Sequence, residues 1–217
     1  MAQVDVLIVA GQGPARRATV ACALAGLLTC LLAGGGCLLQ PREAEPPQTG
    51  DIVVYLEQID PANTWDNLQT SAGAMHAPGW EAGISSVNFL YIPDSAAEAQ
   101  FPGVFDNWGR EREIRFINAL YNAEVTIEDA VMRNPGFVVP PSSGSVSVWE
   151  NVIYDLKVKS KVDGRTLRYR GSAIITFTLE GNFWYISEWR DQQGESDPDT
   201  EQLLPTLGVL RGSFASK

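Results

Sequence analysis

Three alternating segments joined by two tight turns occupy the last third of the chain, and they constrain its fold more than any other feature. In residues 146–162 the apolar side chains share one parity and most charged ones the other, as in a strand with one buried face. Residues 166–180 and 182–192 continue this pattern after Asp163-Gly164 and Gly181-Asn182, pairs that tolerate the positive φ of a hairpin turn. The sequence therefore predicts a long antiparallel meander.

The region before the meander predicts helices with one strand between them. Residues 51–58 fit a helix, although their β-branched run also fits a strand, and residues 62–74 predict a second helix. Residues 84–92 predict a strand, and residues 108–121 predict the clearest helix, because its apolar positions are three or four residues apart. Helices followed by long strands indicate the α+β class, with the helices packed in a strongly curved sheet shaped like a cone or half-barrel.

The first 36 residues predict a signal peptide that is not part of the fold. Arg16-Arg17 precede an uncharged, largely apolar run at 18–33, and small residues then lead to Cys37. A membrane span needs about 20 apolar residues, so this run is short for one. A buried core helix is the alternative interpretation, but the run lacks the polar face that most such helices carry.

The end of this segment resembles the lipobox of bacterial lipoproteins, in which a small residue precedes a lipidated cysteine. The resemblance implies that Cys37 carries the lipid anchor, with Cys30 as a weaker competitor. It also implies a location in the bacterial cell envelope, and the absence of an acidic residue after Cys37 favours the outer membrane. Residues 37–49 then form a proline-rich flexible tether to a domain at 50–192.

Composition excludes several classes of function. The chain has 16 Lys+Arg against 26 Asp+Glu, a formal net charge of −10, whereas nucleic-acid binding needs a clustered basic face. One histidine and three cysteines leave little material for a metal site, so we expect neither a metal nor a cofactor. The tail at 193–217 begins acidic and ends apolar, and we expect its apolar end to pack on the domain.

The order of elements resembles the nuclear transport factor 2-like superfamily, which includes the ketosteroid-isomerase-like proteins. The resemblance is carried by the helix at 108–121, the hairpin at Asp163-Gly164, and the last strand, which runs from Gly181 through Phe183-Trp184-Tyr185-Ile186 to Trp189 and Asp191. It implies a conical cavity at the open end of the sheet, which in the isomerases of this type holds an Asp base and a Tyr oxyanion donor.

Aromatic residues are the candidates for lining that cavity: Tyr91, Tyr154, Tyr169, Trp184 and Trp189. Core packing is the alternative for each of them, and a bulge near Ser187 would be needed to place both tryptophans on one face. We assign no catalytic residue. His76 lies in a loop-like stretch, Asp155 has the parity of the exposed lysines, and Asp191 ends a strand, where it would cap a turn or pair with an arginine.

These features predict an envelope lipoprotein that binds a small apolar ligand or a protein partner without catalysis and contacts the membrane through its lipid. The alternative is a small isomerase, dehydratase or cyclase that uses the cavity. A third hypothesis is a structural or assembly factor whose cone is filled by its own tryptophans. A convergent Asp or His with a Tyr would favour the enzyme, and a cone plugged by Trp184 or Trp189 would favour the third hypothesis.

Overall fold

Residues 53–215 are described by the computed structural model of the chain. The predicted signal peptide at 1–36, the tether at 37–49 and the anchor Cys37 lie outside the described residues and stay predictions. No helix within 53–215 is both long enough and apolar enough to cross a bilayer.

In the first half of the described chain, two pairs of helices are each followed by one strand. Three long strands and a last helix then follow. In chain order the elements are α1 (Pro61–Ala74), α2 (Ala77–Gly83), β1 (Leu90–Ile92), α3 (Ser95–Gln100), α4 (Arg110–Asn122), β2 (Val125–Val131), β3 (Val146–Ser160), β4 (Thr166–Glu180), β5 (Phe183–Gly194) and α5 (Leu207–Ala215).

The strands form a single curved sheet in the order β1-β5-β4-β3-β2. β1 runs parallel to β5, and all the other neighbours are antiparallel, so the predicted meander is present as β3, β4 and β5. Register shifts interrupt the β2–β3, β3–β4 and β4–β5 pairs, and such bulges bend and twist the strands. The edge strands do not meet, so the sheet is open, and the predicted α+β class with a curved antiparallel sheet is confirmed.

Helix α1 places a fully buried tryptophan against the sheet. Asp60 caps the helix by accepting a hydrogen bond from the Asn63 backbone N–H, and Pro61 occupies the first turn. Trp65 and Leu68, three residues apart on one side of this helix, are both fully buried. The Trp65 ring lies 5.3 Å from the ring of Trp189, measured between centroids, so α1 packs on the inner face of β5.

Two predicted elements differ from the structure. Residues 53–58 form neither helix nor strand, because their backbone is paired by a side chain: Asn67 accepts from the Leu56 N–H at 2.7 Å and donates to the Leu56 carbonyl at 2.8 Å. The strand predicted at 84–92 is reduced to β1, since residues 86–88 form a turn and Val87 is exposed.

Asp155 is buried, which corrects the expectation from parity that it faces water. Its side chain accepts two hydrogen bonds from Arg168, at 2.8 and 2.6 Å, and one from Arg170 at 2.7 Å. Arg168 also pairs with Asp197 of the tail at 3.1 Å. The two arginines come from β4 and the second carboxylate from the tail, so a pattern read along β3 alone could not reveal them.

This network predicts an acid-sensitive contribution to stability. Burial alone would raise the pKa of Asp155, but the hydrogen bonds from Arg168 and Arg170 outweigh it and lower the pKa below its usual range. A carboxylate with a lowered folded-state pKa stabilises the fold above its unfolded-state pKa, about 4, and loses that effect as the pH falls through the folded-state pKa. In urea denaturation at several pH values, Asp155→Asn should cost about 2 kcal/mol at pH 7.

The difference from wild type should shrink as the solution is acidified below about pH 4. The exposed Asp199→Asn provides the control, because its carboxylate takes part in none of these ion pairs, and it should leave the pH profile unchanged. A constant difference between wild type and Asp155→Asn from pH 7 to pH 2 would contradict the role of this network.

Candidate functional site

Helix α5 of the tail packs against α3, α4 and strands of the sheet, and it contributes an arginine to the interior. Leu207 and Leu210 are buried, and Arg211, on the same face as Leu207, has no exposed surface at all. A fully buried arginine is unusual and requires a partner of opposite charge. The contacts of Arg211 therefore define what occupies the concave side of the sheet.

Glu113 of α4 is that partner. Arg211 donates from Nε to Glu113 Oε2 at 2.9 Å and from Nη2 to Oε1 at 2.8 Å, which is a bidentate pair. The indole of Trp108 also donates to Oε2, at 2.8 Å. Burial alone would lower the pKa of Arg211, but Glu113 raises it, so the guanidinium stays charged.

Asp191, at the inner face of β5, is another buried carboxylate close to Arg211. It accepts hydrogen bonds from the Tyr91 hydroxyl at 2.7 Å, the Trp189 indole at 2.8 Å and the Gly208 backbone N–H at 3.1 Å. Burial raises the pKa of Asp191, while the charge of Arg211 and these hydrogen bonds oppose the rise. Both oxygens of this carboxylate are thus engaged by groups of the chain itself.

Two tyrosines complete this arrangement. The Tyr154 hydroxyl accepts from the Leu207 backbone N–H at 3.1 Å, and the Tyr91 ring lies 4.0 Å below the guanidinium carbon of Arg211. Burial raises the pKa of both phenols well above the usual value, so they stay protonated at neutral pH. We call Tyr91, Glu113, Tyr154, Asp191 and Arg211 the interior cluster.

The interior cluster leaves almost no room for a ligand. The cavity beside Arg211, bounded by apolar side chains of α4, α5 and the sheet, has a volume of about 10 Å³. That volume holds at most one water molecule. The Asp and Tyr groups that would favour an enzyme do converge here, but they converge on α5 and not on an open cavity.

The structure brings together three of the five predicted pocket residues. Tyr91, Tyr154 and Trp189 surround Asp191, and the Tyr154 and Trp189 rings are 5.8 Å apart. Trp184 and Tyr169 are buried elsewhere on the sheet, and within residues 53–215 neither forms a hydrogen bond or ring contact with the interior cluster. Their binding role stays a prediction that the packing does not favour.

A bulge at Ser187 explains why Trp184 and Trp189 are both buried in spite of their odd spacing. The pairing of β4 with β5 shifts between Thr176 and Phe177, and Ser187 is left without a partner in the ladder. The Ser187 hydroxyl lies 2.7 Å from that of Thr178. The inward face of β5 therefore changes parity at this residue.

Sequence reasoning missed Glu113 and Arg211. Glu113 lies among charged residues in the sequence, but it precedes Phe116, Ile117 and Leu120 by three, four and seven residues, a spacing that places it on the buried face of α4. A signal also existed for Arg211, because it lies four residues after Leu207 in a segment that carries no other charge up to Ser216. A single charge inside an apolar helix pattern indicates a buried, paired group.

His76, the single imidazole, has a structural role. It precedes α2, where its Nδ1 accepts a hydrogen bond from the Gly79 N–H at 3.2 Å and lies 2.7 Å from the Tyr55 hydroxyl. These contacts fasten the segment that contains Tyr55 to α2. In the part of the chain that the structure describes, no group of three His, Cys, Asp or Glu side chains has a geometry that could hold a metal.

No protein-family model and no curated protein matches the sequence. Among solved structures, the chain is similar to a candidate aromatic ring hydroxylase of Novosphingobium aromaticivorans (9% identity, 63% of this chain and 87% of that chain, TM-score 0.48). It is also similar to the Δ5-3-ketosteroid isomerase of a Mycobacterium species (14% identity, 63% and 92%, TM-score 0.40). A third similar structure is an NTF2-like protein of Cytophaga hutchinsonii (12% identity, 60% and 93%, TM-score 0.42).

The isomerase and the NTF2-like protein belong to the superfamily that the order of elements in this sequence resembles. The activities named for them belong to those proteins. The chain is thus an α+β protein with an open, curved five-stranded sheet, and its solved structural neighbours are NTF2-like and ketosteroid-isomerase-like proteins.

Proposed function

We propose that this chain is a lipid-anchored protein of the bacterial cell envelope whose folded domain binds a small ligand or a protein partner without catalysis. The single observation that carries the non-catalytic part is the burial of Arg211 among Glu113, Asp191 and the two tyrosines. A substrate could reach Asp191 only if α5 left the sheet.

Detaching α5 from the sheet would cost free energy, because both its backbone and its side chains form hydrogen bonds with the rest of the domain. Its backbone N–H groups at Leu207 and Gly208 donate to Tyr154 and Asp191, and its guanidinium pairs with Glu113. Gly208 approaches the cluster so closely that an added Cβ would meet the Tyr91 hydroxyl at 2.6 Å. Opening would also separate the buried bidentate pair of Arg211 with Glu113.

The second candidate is an enzyme of the isomerase, dehydratase or cyclase type, and one observation favours it. Asp191 is a buried carboxylate with a raised pKa beside two tyrosine hydroxyls, a combination suited to proton transfer at a carbonyl. In this candidate function, α5 covers Asp191 and moves away when a substrate binds.

Hydrogen exchange of the full chain distinguishes the two candidates. In the non-catalytic proposal, the amides of 207–212 exchange about as slowly as those of β4, because α5 opens only with the whole domain. The loop at 138–142 lies outside the helices and strands, and its amides provide a rapidly exchanging reference. Exchange at 207–212 that is much faster than in β4 would show that the cover opens on its own, and it would overturn the non-catalytic proposal.

The anchoring part of the proposal rests on the signal-like segment and Cys37. We place the protein in the outer membrane, with the tether at 37–49 separating the domain from the bilayer. The experiment that tests this part is described in the Discussion.

A further inference from the structure

An open groove of about 600 Å³ lies on the surface of the domain, outside the concave side of the sheet. Its walls are the loop at 103–104, one face of α4 and the end of α5 at 214–215. Arg112, Arg115, Phe116 and Ala119 supply the helix wall, and their spacing of three and four residues places them on one face. The volume lies within the range of small-molecule sites, about 300–1,000 Å³.

The charges in this groove differ from those in the rest of the domain. Between residues 53 and 215, every arginine and lysine except Arg112, Arg115 and Lys161 forms an ion pair with a carboxylate. Two of these three exceptions line the groove, and no described carboxylate lines it. In a chain with a net charge of −10, two neighbouring arginines that pair with no carboxylate of residues 53–215 indicate a site for an anion.

Arg112 is held in position, whereas Arg115 is exposed. Arg112 Nη1 donates to the Val104 carbonyl at 2.7 Å, which fixes its guanidinium at the edge of the groove. Arg115 forms no hydrogen bond with the described residues and reaches solvent on the adjacent turn of α4. Planar guanidinium groups bind carboxylates with paired hydrogen bonds, so one arginine held in place and one exposed arginine beside it suit a single carboxylate.

Aromatic rings form the apolar part of the groove. The rings of Phe116 and Phe214 meet edge to face with centroids 6.1 Å apart, and those of Trp108 and Phe116 do so at 6.4 Å. Gly103 and Ala119 are small and keep the groove open between these rings and solvent. An aromatic ligand makes the same edge-to-face contacts that these side chains make with each other.

We propose that this groove binds an aromatic carboxylate, with the carboxylate between Arg112 and Arg115 and the ring against Phe116 and Phe214. This inference rests on the proposed binding function and names its site and its ligand class. The site lies outside the interior cluster and needs no movement of α5.

The probe for this proposal is 2-naphthoate, titrated calorimetrically into the full chain in zwitterionic detergent, with the heat of titration into empty micelles subtracted. One molecule should bind per chain. Arg115→Gln should weaken the affinity at least about tenfold, because a charge-assisted hydrogen bond is lost. Ala119→Trp should abolish binding, because the indole fills the groove.

Lys161→Gln is the matched control. Like Arg112 and Arg115, Lys161 is a basic residue without an ion pair among residues 53–215, but it lies outside the groove. It should leave the affinity within about twofold of wild type, a change of less than 0.5 kcal/mol. The neutral isostere 2-naphthamide should bind at least about tenfold more weakly than 2-naphthoate.

Absence of naphthoate binding, equal binding of the amide, or equal effects of Arg115→Gln and Lys161→Gln would each overturn this inference. None of these results would alter the exchange behaviour of α5, so failure of the groove proposal is distinguishable from failure of the proposed function.

Discussion

Replacing Arg211 by Met should lower the free energy of unfolding by about 3–5 kcal/mol. The substitution keeps much of the side-chain volume but leaves Glu113 as a buried carboxylate without its cation. In the wild type, burial raises the pKa of Asp191 and the charge of Arg211 partly offsets that rise; the substitution removes this charge. In a domain of this size, 1 kcal/mol corresponds to about 2–4 °C in Tm, so the melting temperature should fall by about 6–20 °C.

Urea denaturation of the full chain measures this effect, and two further variants identify its cause. Adding Glu113→Gln to Arg211→Met should recover part of the loss, because the neutral amide can still accept from Trp108 without an unpaired charge. Arg165→Met removes an exposed arginine, 83% accessible, whose ion pair with Asp163 lies at the surface, and it should cost less than about 1 kcal/mol. Equal stabilities of Arg211→Met and Arg165→Met would contradict the interior cluster as described.

Replacing Cys37 by Ser should abolish lipid attachment. Wild-type chain extracted from bacterial membranes should begin at Cys37 and carry the mass of its acyl chains, while the Ser variant should lack that mass and retain residues 1–36. Each buried methylene of an acyl chain contributes about 0.8 kcal/mol, and two or more chains give stable anchoring. The strongly negative domain has no electrostatic attraction to an anionic bilayer that could replace them.

Intact mass spectrometry of the extracted protein measures both the processing and the acyl mass. Cys30→Ser is the matched control, because Cys30 is the competing position within the same apolar segment. It should be processed and acylated like the wild type. If Cys30→Ser instead loses the lipid, or if Cys37→Ser keeps it, the predicted anchor is wrong.

The meander was predictable because its signals are local. Alternation of apolar and polar residues defines the buried face of each strand, and Gly164 and Gly181, both with positive φ, occupy the turns where Asp163-Gly164 and Gly181-Asn182 were expected. Helix α1 was predictable for the same reason, since its capping residue and its buried stripe lie within one short segment. Residues 53–58 were not, because their backbone is paired by Asn67, eleven residues away.

The pairing of the charged groups in the interior was not predictable from periodicity. Glu113 shares its helix face with the buried Phe116, Ile117 and Leu120, but its partner Arg211 lies 98 residues later. Asp191 accepts from Tyr91 across 100 residues. A charge pattern indicates which residues prefer water, but a sufficiently good partner reverses that preference, and such a partner exists only after the chain has folded.

Local patterning by itself therefore determined the class of this protein, namely an α+β domain with a curved antiparallel sheet, and it placed Tyr91, Tyr154 and Trp189 on buried positions. Tertiary structure alone decided that the space they line is taken by α5, and that Arg112 and Arg115 of α4, on a different surface, pair with no carboxylate of residues 53–215. The physical reason is that strand and helix periods depend on neighbours within a few residues, whereas the filling of a cavity depends on which distant segment gains most by burying its apolar face there.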